Sequence, residues 1–179
     1  MARKICCHFK TLSAPQISES TQISTLTSIL GAYGIGVEFV SGESLTLPSY
    51  NVRTYPIVDV DCRLSQTTSQ QEDLFNQGNY TAIQPLDIVC YFVQTINNVD
   101  GLLLNGCAAH PLFKPRVVLA RTATLWTLAH EIGHVLGLAH VSDAANLMFS
   151  PTARITANPP SLTSAQISTL QSSPYLIST

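Results

Sequence analysis

Apolar and polar positions change rhythm several times along the chain, and each rhythm predicts an element. In Lys4–Thr11 the residues Ile5, Cys7 and Phe9 alternate with more polar neighbours, the period of a β-strand. Ser13-Ala14-Pro15 breaks that pattern. From Ile17 to Tyr33 the apolar residues Ile23, Leu26, Ile29 and Leu30 recur at helical spacing, and Gly31 or Gly34 closes the helix. Residues 36–40 and 53–60 read as two further strands. Residues 62–84 are rich in Ser, Thr and Gln and predict a surface excursion with some helix over Gln70–Asn76. The strongest strand signal spans Asp87–Ile96, whose Ile-Val-Cys-Tyr-Phe-Val run suits a buried central position. Pro111 and Pro115 then separate an edge strand at Leu103–Ala109 from an interior strand at Arg116–Ala120. A helix follows from Thr122 or Thr124 to Leu136, with Leu125, Leu128, Ala129, Ile132, Val135 and Leu136 as its apolar stripe. Gly137 stands where a left-handed residue ends such a helix. A last helix begins near Ser161–Thr163 and turns Leu162, Ile167 and Leu170 toward the core. No repeat or linker interrupts the series, so residues 1–179 predict a single domain.

Composition narrows the classes of function. Charged residues make up 11% of the chain, against roughly a quarter in ordinary soluble proteins. With 9 basic and 11 acidic residues and no cluster of either sign, neither a nucleic-acid grip nor a polybasic membrane contact is expected. A hydrophobic content of 45% excludes a disordered chain. No apolar run approaches the ~20 residues that span a bilayer. The start, Arg3-Lys4-Ile5-Cys6-Cys7, is cut by His8 before it resembles a signal peptide, so a cytoplasmic protein or a trimmed or leaderless secreted form is expected. The five cysteines, Cys6, Cys7, Cys62, Cys90 and Cys107, form no C-x-x-C pattern. Buried free thiols are their simplest reading, with a disulfide such as Cys90–Cys107 as the alternative.

Candidate chemistry concentrates in residues 130–140, His-Glu-Ile-Gly-His-Val-Leu-Gly-Leu-Ala-His. A spacing of four places His130 and His134 one turn apart on one helical face, where both imidazoles reach a single ion. Gly137 allows a sharp turn that brings His140 back as a third ligand. Three neutral imidazoles leave a fourth tetrahedral position for water, the arrangement of one catalytic zinc ion. Glu131 is poorly placed to ligate but close enough to act on that water as a base.

These residues resemble the metzincin clan of zinc metalloproteases, whose signature is HExxHxxGxxH followed by a methionine turn. Asn146-Leu147-Met148 places Met148 eight residues beyond His140, a separation similar to the matrixin branch, and Asp143 sits where matrixins carry an aspartate. The stretch from Asp100 to Pro111 is similar to their edge-strand region. The resemblance implies an α+β, metzincin-like zincin fold: a twisted mixed β-sheet with an edge strand over the cleft, two long helices and a C-terminal helix. It divides the domain into an upper part, about 1–137, and a lower part, about 138–179. It implies a zinc endopeptidase with Glu131 catalytic and His130, His134 and His140 on the metal. Met148 is then a hydrophobic floor, Gly137 the helix-ending turn and Asp143 a brace for the methionine turn. An extended peptide would lie antiparallel to Leu104–Ala109, with Phe149–Ala153 walling the pocket for the side chain after the cut. Some features depart from the pattern. Val141 replaces the usual Ser, Thr or Asp, Ser150 replaces a ligating tyrosine, matrixin-like structural zinc and calcium loops are mostly absent, and residues 62–84 have no counterpart.

Other residues read more simply. His8 and His110 are expected to be structural, Trp126 a packing residue, and Asp59 with Asp61 a weak calcium signal. Cys107 near the metal is a minor alternative. The expected partner is a peptide or protein substrate, and the expected state a monomer. The alternative function is a zinc-stabilised peptide-binding module without turnover, against which the intact Glu131 speaks. An exopeptidase would need an acidic anchor that the sequence does not reveal.

Overall fold

The structure, a computed structural model, describes residues 3–45, 57–63 and 65–178. In chain order the elements are β1 (Arg3–Thr11), α1 (Glu19–Gly31), β2 (Ile35–Ser44), β3 (Ile57–Val60), α2 (Ser69–Phe75), β4 (Ile88–Val93), β5 (Thr95–Asn98), β6 (Leu103–Leu104) and β7 (Gly106–Cys107). They continue with β8 (Arg116–Ala120), α3 (Thr127–Val135), a short 3-10 turn at Thr152–Arg154, α4 (Ser164–Gln171) and β9 (Ile177–Ser178). The main sheet runs β2-β1-β4-β8-β7, with β9 also on β1, and a three-stranded sheet runs β3-β5-β6. Strands β2, β1, β4 and β8 are parallel, whereas β7 lies antiparallel to β8 at the edge. The architecture is the α+β, metzincin-like one that the sequence implied. No described helix is long and apolar enough to cross a membrane.

Two cores explain why β4 reads as an unbroken apolar run. Ile88, Cys90 and Phe92 face a cluster with Leu26 and Leu30 of α1 and Leu128 and Ile132 of α3. Val89, Tyr91 and Val93 face a second cluster with Val58, Leu74, Phe75 and Val118. A strand covered on both faces has no polar side to alternate with. Residues 62–84 are therefore more than a surface excursion: within them α2 buries Gln71, Leu74 and Phe75 under the second face. Thr68 and Gln71 form a capping box that starts this helix. The Gln71 Oε1 also accepts the Asp61 N–H at 3.1 Å, fixing the segment that precedes Cys62.

Several expected boundaries move, each for a physical reason. The run Asp87–Ile96 divides at the exposed Gln94, where the chain leaves the main sheet and Ile96 enters the smaller one. Leu103–Ala109 divides likewise: β6 pairs with β5 and β7 pairs with β8. Strand β2 extends to Ser44, beyond the expected Val40, because polar pairs across β1 continue it. His8 Nδ1 lies 2.8 Å from Ser41 Oγ, and Lys10 Nζ donates to Glu43 at 2.8 Å. Helix α1 begins after the Ser18 cap and buries Leu26, Ile29 and Leu30 as expected. Of the strand expected at 53–60, residues 53–56 lie outside the described residues. Strand β9 was not anticipated; it pairs Ile177 and Ser178 with Lys4 and Arg3.

The cysteines also differ from expectation. Cys62 and Cys107 form a disulfide with Cα atoms 5.5 Å apart, and Cys6, Cys7 and Cys90 are buried free thiols. Cys90 cannot pair with Cys107 because the two face opposite cores across the main sheet. The bridge ties the edge strand β7 to the segment after β3. An alkylating reagent on the denatured, unreduced chain is expected to add three groups, rising to five after reduction. Five additions before reduction, read by intact mass, would exclude the bridge.

Candidate active site

Helix α3 starts one turn later than the sequence predicts, at Thr127, with Trp126 as its cap position and no side-chain cap. Thr127 instead turns its hydroxyl back to accept the Thr124 N–H at 2.8 Å, which fixes the preceding turn. From this start the 3.6-residue repeat sets Leu128 and Ile132 into the core. His130 and His134 share the adjoining face. The helix ends at Val135, and Gly137 follows with φ +103°, a conformation that a side chain would strain. That reversal returns His140 to the other two histidines.

The three Nε2 atoms converge. His130 and His140 are 3.1 Å apart, His134 and His130 3.1 Å, and His134 and His140 3.0 Å. Carbonyls set the tautomers, because a carbonyl can only accept. His130 Nδ1–H donates to Leu147 O and His134 Nδ1–H to Leu138 O, each at 2.8 Å. Both Nε2 lone pairs are thereby aimed at the common centre. Burial pushes the His130 pKa down to about 4 and lowers those of His134 and His140, so the donors are neutral near pH 7. Three nitrogens at zinc bond lengths of roughly 2.0–2.1 Å on a tetrahedron stand roughly 3.3 Å apart, so these residues fit zinc. They are the sole group of three or more metal donors among the described residues.

Glu131 is buried beside this centre, and no described residue hydrogen-bonds its carboxylate. Desolvation alone pushes its pKa up to about 8. Across from it lies Gly106 of β7, where an added Cβ would fall 2.6 Å from Glu131 Cγ and Oε1. Gly133 plays a matching role on the helix: a Cβ there would meet Met148 Sδ at 2.6 Å. Met148 is fully buried. Its N–H donates to Asn146 Oδ1 at 2.9 Å, and Asn146 is held in turn by Gln166. Asp143 Oδ1 accepts the Ala145 N–H at 2.9 Å, at the start of the same turn. A glycine inside a helix and one inside a strand were the available sequence signals for these contacts.

A cleft of about 520 Å³ lies over the centre. Its walls are the 103–109 edge segment, the two helix histidines with Glu131, residues 137–140 and Ser150-Pro151-Thr152. The other candidates lie elsewhere. His8 is buried between Ser41 and Asp87, its Nε2 3.0 Å from Asp87 Oδ2. His110 is buried with its Nδ1–H on Pro111 O and its ring edge-on to Tyr175. Asp61 faces Arg63 at 3.6 Å, and Asp59 joins no metal-donor group among the described residues. Trp126 packs against the main core. Cys107 lines the cleft but is committed to its disulfide.

Residues 57–172 match the matrixin family, peptidase M10. No curated protein matches the chain in sequence. Among solved structures the chain is similar to metalloproteinase-II from Bacteroides fragilis, with a TM-score of 0.65 and 17% identity. That match covers 94% of this chain and 52% of the other, so the chain spans about half that protein's length. Archaemetzincin from Methanopyrus kandleri gives a TM-score of 0.58 at 16% identity, covering 93% of both chains. A zinc-dependent peptidase from Methanocorpusculum labreanum gives 0.57 at 14%, covering 92% of this chain and 99% of the other.

Proposed function

The chain belongs to the matrixin family of zinc-dependent peptidases, and we propose that it is an endopeptidase with Glu131 as its general base. The observation that carries this reading is one juxtaposition. A carboxylate that no described residue hydrogen-bonds stands beside three converging imidazoles, in a cleft bordered by β7, the edge strand of the described main sheet. An extended peptide adds to such an edge as another strand, held by main-chain hydrogen bonds rather than by its ends. Among the described residues no Lys or Arg lines the cleft, and the carboxylate that does line it is the proposed base Glu131, so no separate charged anchor among them grips a free terminus of the substrate.

His130, His134 and His140 would hold the ion. When bound, zinc supplies a Lewis acid that polarises a carbonyl and eases the ionisation of water. Glu131 accepts the proton of the attacking water and returns it to the departing amine. Gly106 leaves the room in which that carboxylate sits. Gly137 supplies the reversal that presents His140, and Met148 forms the floor under the histidines. Asp143 braces the turn from which Leu147 O orients His130. On this reading the elements up to Gly137 form the upper wall of one domain and residues 138–179 the lower wall.

The zinc-loaded protein is expected to cut an unfolded protein at internal bonds, read by fragment mass spectrometry, and to stop on chelation. Release of terminal residues alone, or no cleavage with zinc in place, would overturn the assignment. Gly106→Ala is a sharper probe. The new methyl would meet the movable end of Glu131, so the fold and the metal survive while the base is displaced. A displacement of about 1 Å is enough for a loss of roughly 10²-fold, and kcat should fall with little change in Tm or zinc content. Activity within twofold of wild type would show that Glu131 does not need the space.

A further inference from the structure

We infer that Ser41, His8 and Asp87 form a second catalytic site, apart from the zinc centre, that takes up small acyl groups from activated esters. The inference does not rest on the endopeptidase reading. The three side chains form one hydrogen-bonded string. His8 Nδ1 lies 2.8 Å from Ser41 Oγ, and His8 Nε2 lies 3.0 Å from Asp87 Oδ2. Asp87 Oδ2 also accepts the Gln84 N–H at 2.8 Å, which holds the carboxylate in place. His8 and Asp87 are buried, whereas Ser41 is exposed on β2, an edge strand of the described main sheet. A break in register makes the string possible. Cys7 lies opposite Phe39 but His8 lies opposite Ser41, so the ladder skips Val40. Without that extra residue Val40 would stand across from His8, and Ser41 would fall on the other face of the sheet, across from Phe9.

Donors and acceptors set the direction of proton flow. A carboxylate can only accept, so Nε2 carries the ring proton and the Nδ1 lone pair is left for the Ser41 hydroxyl. Ser41 Oγ thus gives its proton to His8, and no other described residue hydrogen-bonds it. Its own lone pairs remain for an electrophile arriving from solvent. These are the nucleophile, base and orienting acid of acyl transfer, an arrangement recognised by geometry and role rather than by order in the chain. Packing alone does not call for it, because a buried ionic pair stabilises a fold no better than apolar residues of the same size. In the reaction Ser41 Oγ bonds to the ester carbonyl carbon while its proton passes to His8 Nδ1. The bond from that carbon to the alcohol oxygen breaks, and the alcohol leaves with the proton. Water repeats the relay on the acyl-serine and frees the acid and Ser41. Asp87 is a positioning residue, since it fixes the tautomer of His8. Ser41 lies outside the zinc cleft, on open surface, so the acyl group is small and its alcohol a good leaving group.

The test gives zinc-loaded wild type, Ser41→Ala and Asp87→Asn a fluorophosphonate, which exchanges its fluoride for the attacking oxygen and does not turn over. The ester p-nitrophenyl acetate is assayed beside it. Wild type should carry a phosphonate on Ser41, located by peptide mass mapping, and Ser41→Ala should carry none. In Asp87→Asn the amide can donate to Nε2 and so put the ring proton on Nδ1. Its labelling should slow by roughly 10²-fold or more, and ester turnover should fall in step in both variants. Zinc content and circular dichroism report the fold, and a role confined to holding the sheet would not slow labelling of a folded Asp87→Asn. Labelling at other residues only, or an equal labelling rate in that variant, overturns the inference. So does ester hydrolysis that is unchanged in Ser41→Ala, which assigns it to another group. Should Asp87→Asn not fold, wild type and Ser41→Ala still decide, because an ordinary exposed serine does not react with the reagent. No arm depends on peptide cleavage, so the endopeptidase reading stands or falls separately.

Discussion

Glu131→Gln should fold, bind one zinc ion and lose peptide hydrolysis by roughly 10²–10⁴-fold, the contribution of a positioned acid–base group. The amide keeps the shape that Gly106 accommodates and removes the ability to take a proton. Zinc content should not change, because the ion is assigned to three imidazoles and not to this carboxylate. Metal analysis beside kcat separates the two functions, and a residual activity above a tenth of wild type would remove Glu131 as the base. The same substitution has a pH signature in the metal-free proteins. Burial raises the carboxyl pKa to about 8 in the fold, from an ordinary value of 4.5. Wild type therefore loses stability as pH climbs from 4.5 toward 8, because the unfolded chain ionises first. Glu131→Gln lacks this loss, so its melting advantage should appear above pH 4.5 and be full by pH 8.

The three-histidine cluster was legible because its members are local. His130, His134 and Gly137 occupy one helix and its stop, and His140 follows within three residues of the turn. Period and spacing suffice for such a set, as they do for the Leu26–Leu30 stripe of α1 and for β8. What the sequence did not disclose depends on residues far apart in the chain. Gln94 and Asn105 look like any polar positions, yet at each the chain passes between the two sheets. The polar half of β2 is held by His8 and Lys10, more than thirty residues away. Cys62 finds Cys107 only because β3 and β7 end on the same side of the main sheet, and no spacing rule records that. Thr152 joins Thr124 and Thr127 through the turn after Met148, a contact without periodicity. Local rules thus give the three converging histidines, whereas the surroundings of the cleft come from tertiary packing.

Removal of zinc should abolish hydrolysis reversibly and lower Tm by roughly 10 °C. A site filled at 1,000 times its Kd contributes about 4 kcal/mol through mass action, and each kcal/mol shifts a chain of this length by about 2–4 °C. The ion would join His130 and His134 on α3 to His140 beyond Gly137, a link that no hydrogen bond between those side chains and a proton-bearing Nε2 can replace. Leu138 O and Leu147 O extend the link, since each orients one of the helix histidines. Loss of metal should therefore loosen the lower wall first. Amide exchange ought to rise across residues 138–150 while β1, β4 and β8, buried in the main sheet, keep their protection. Calorimetry with and without chelator, followed by zinc addition, measures both effects. An unchanged Tm in protein proven free of metal would mean that the three histidines hold their positions without the ion, and that zinc serves the chemistry alone.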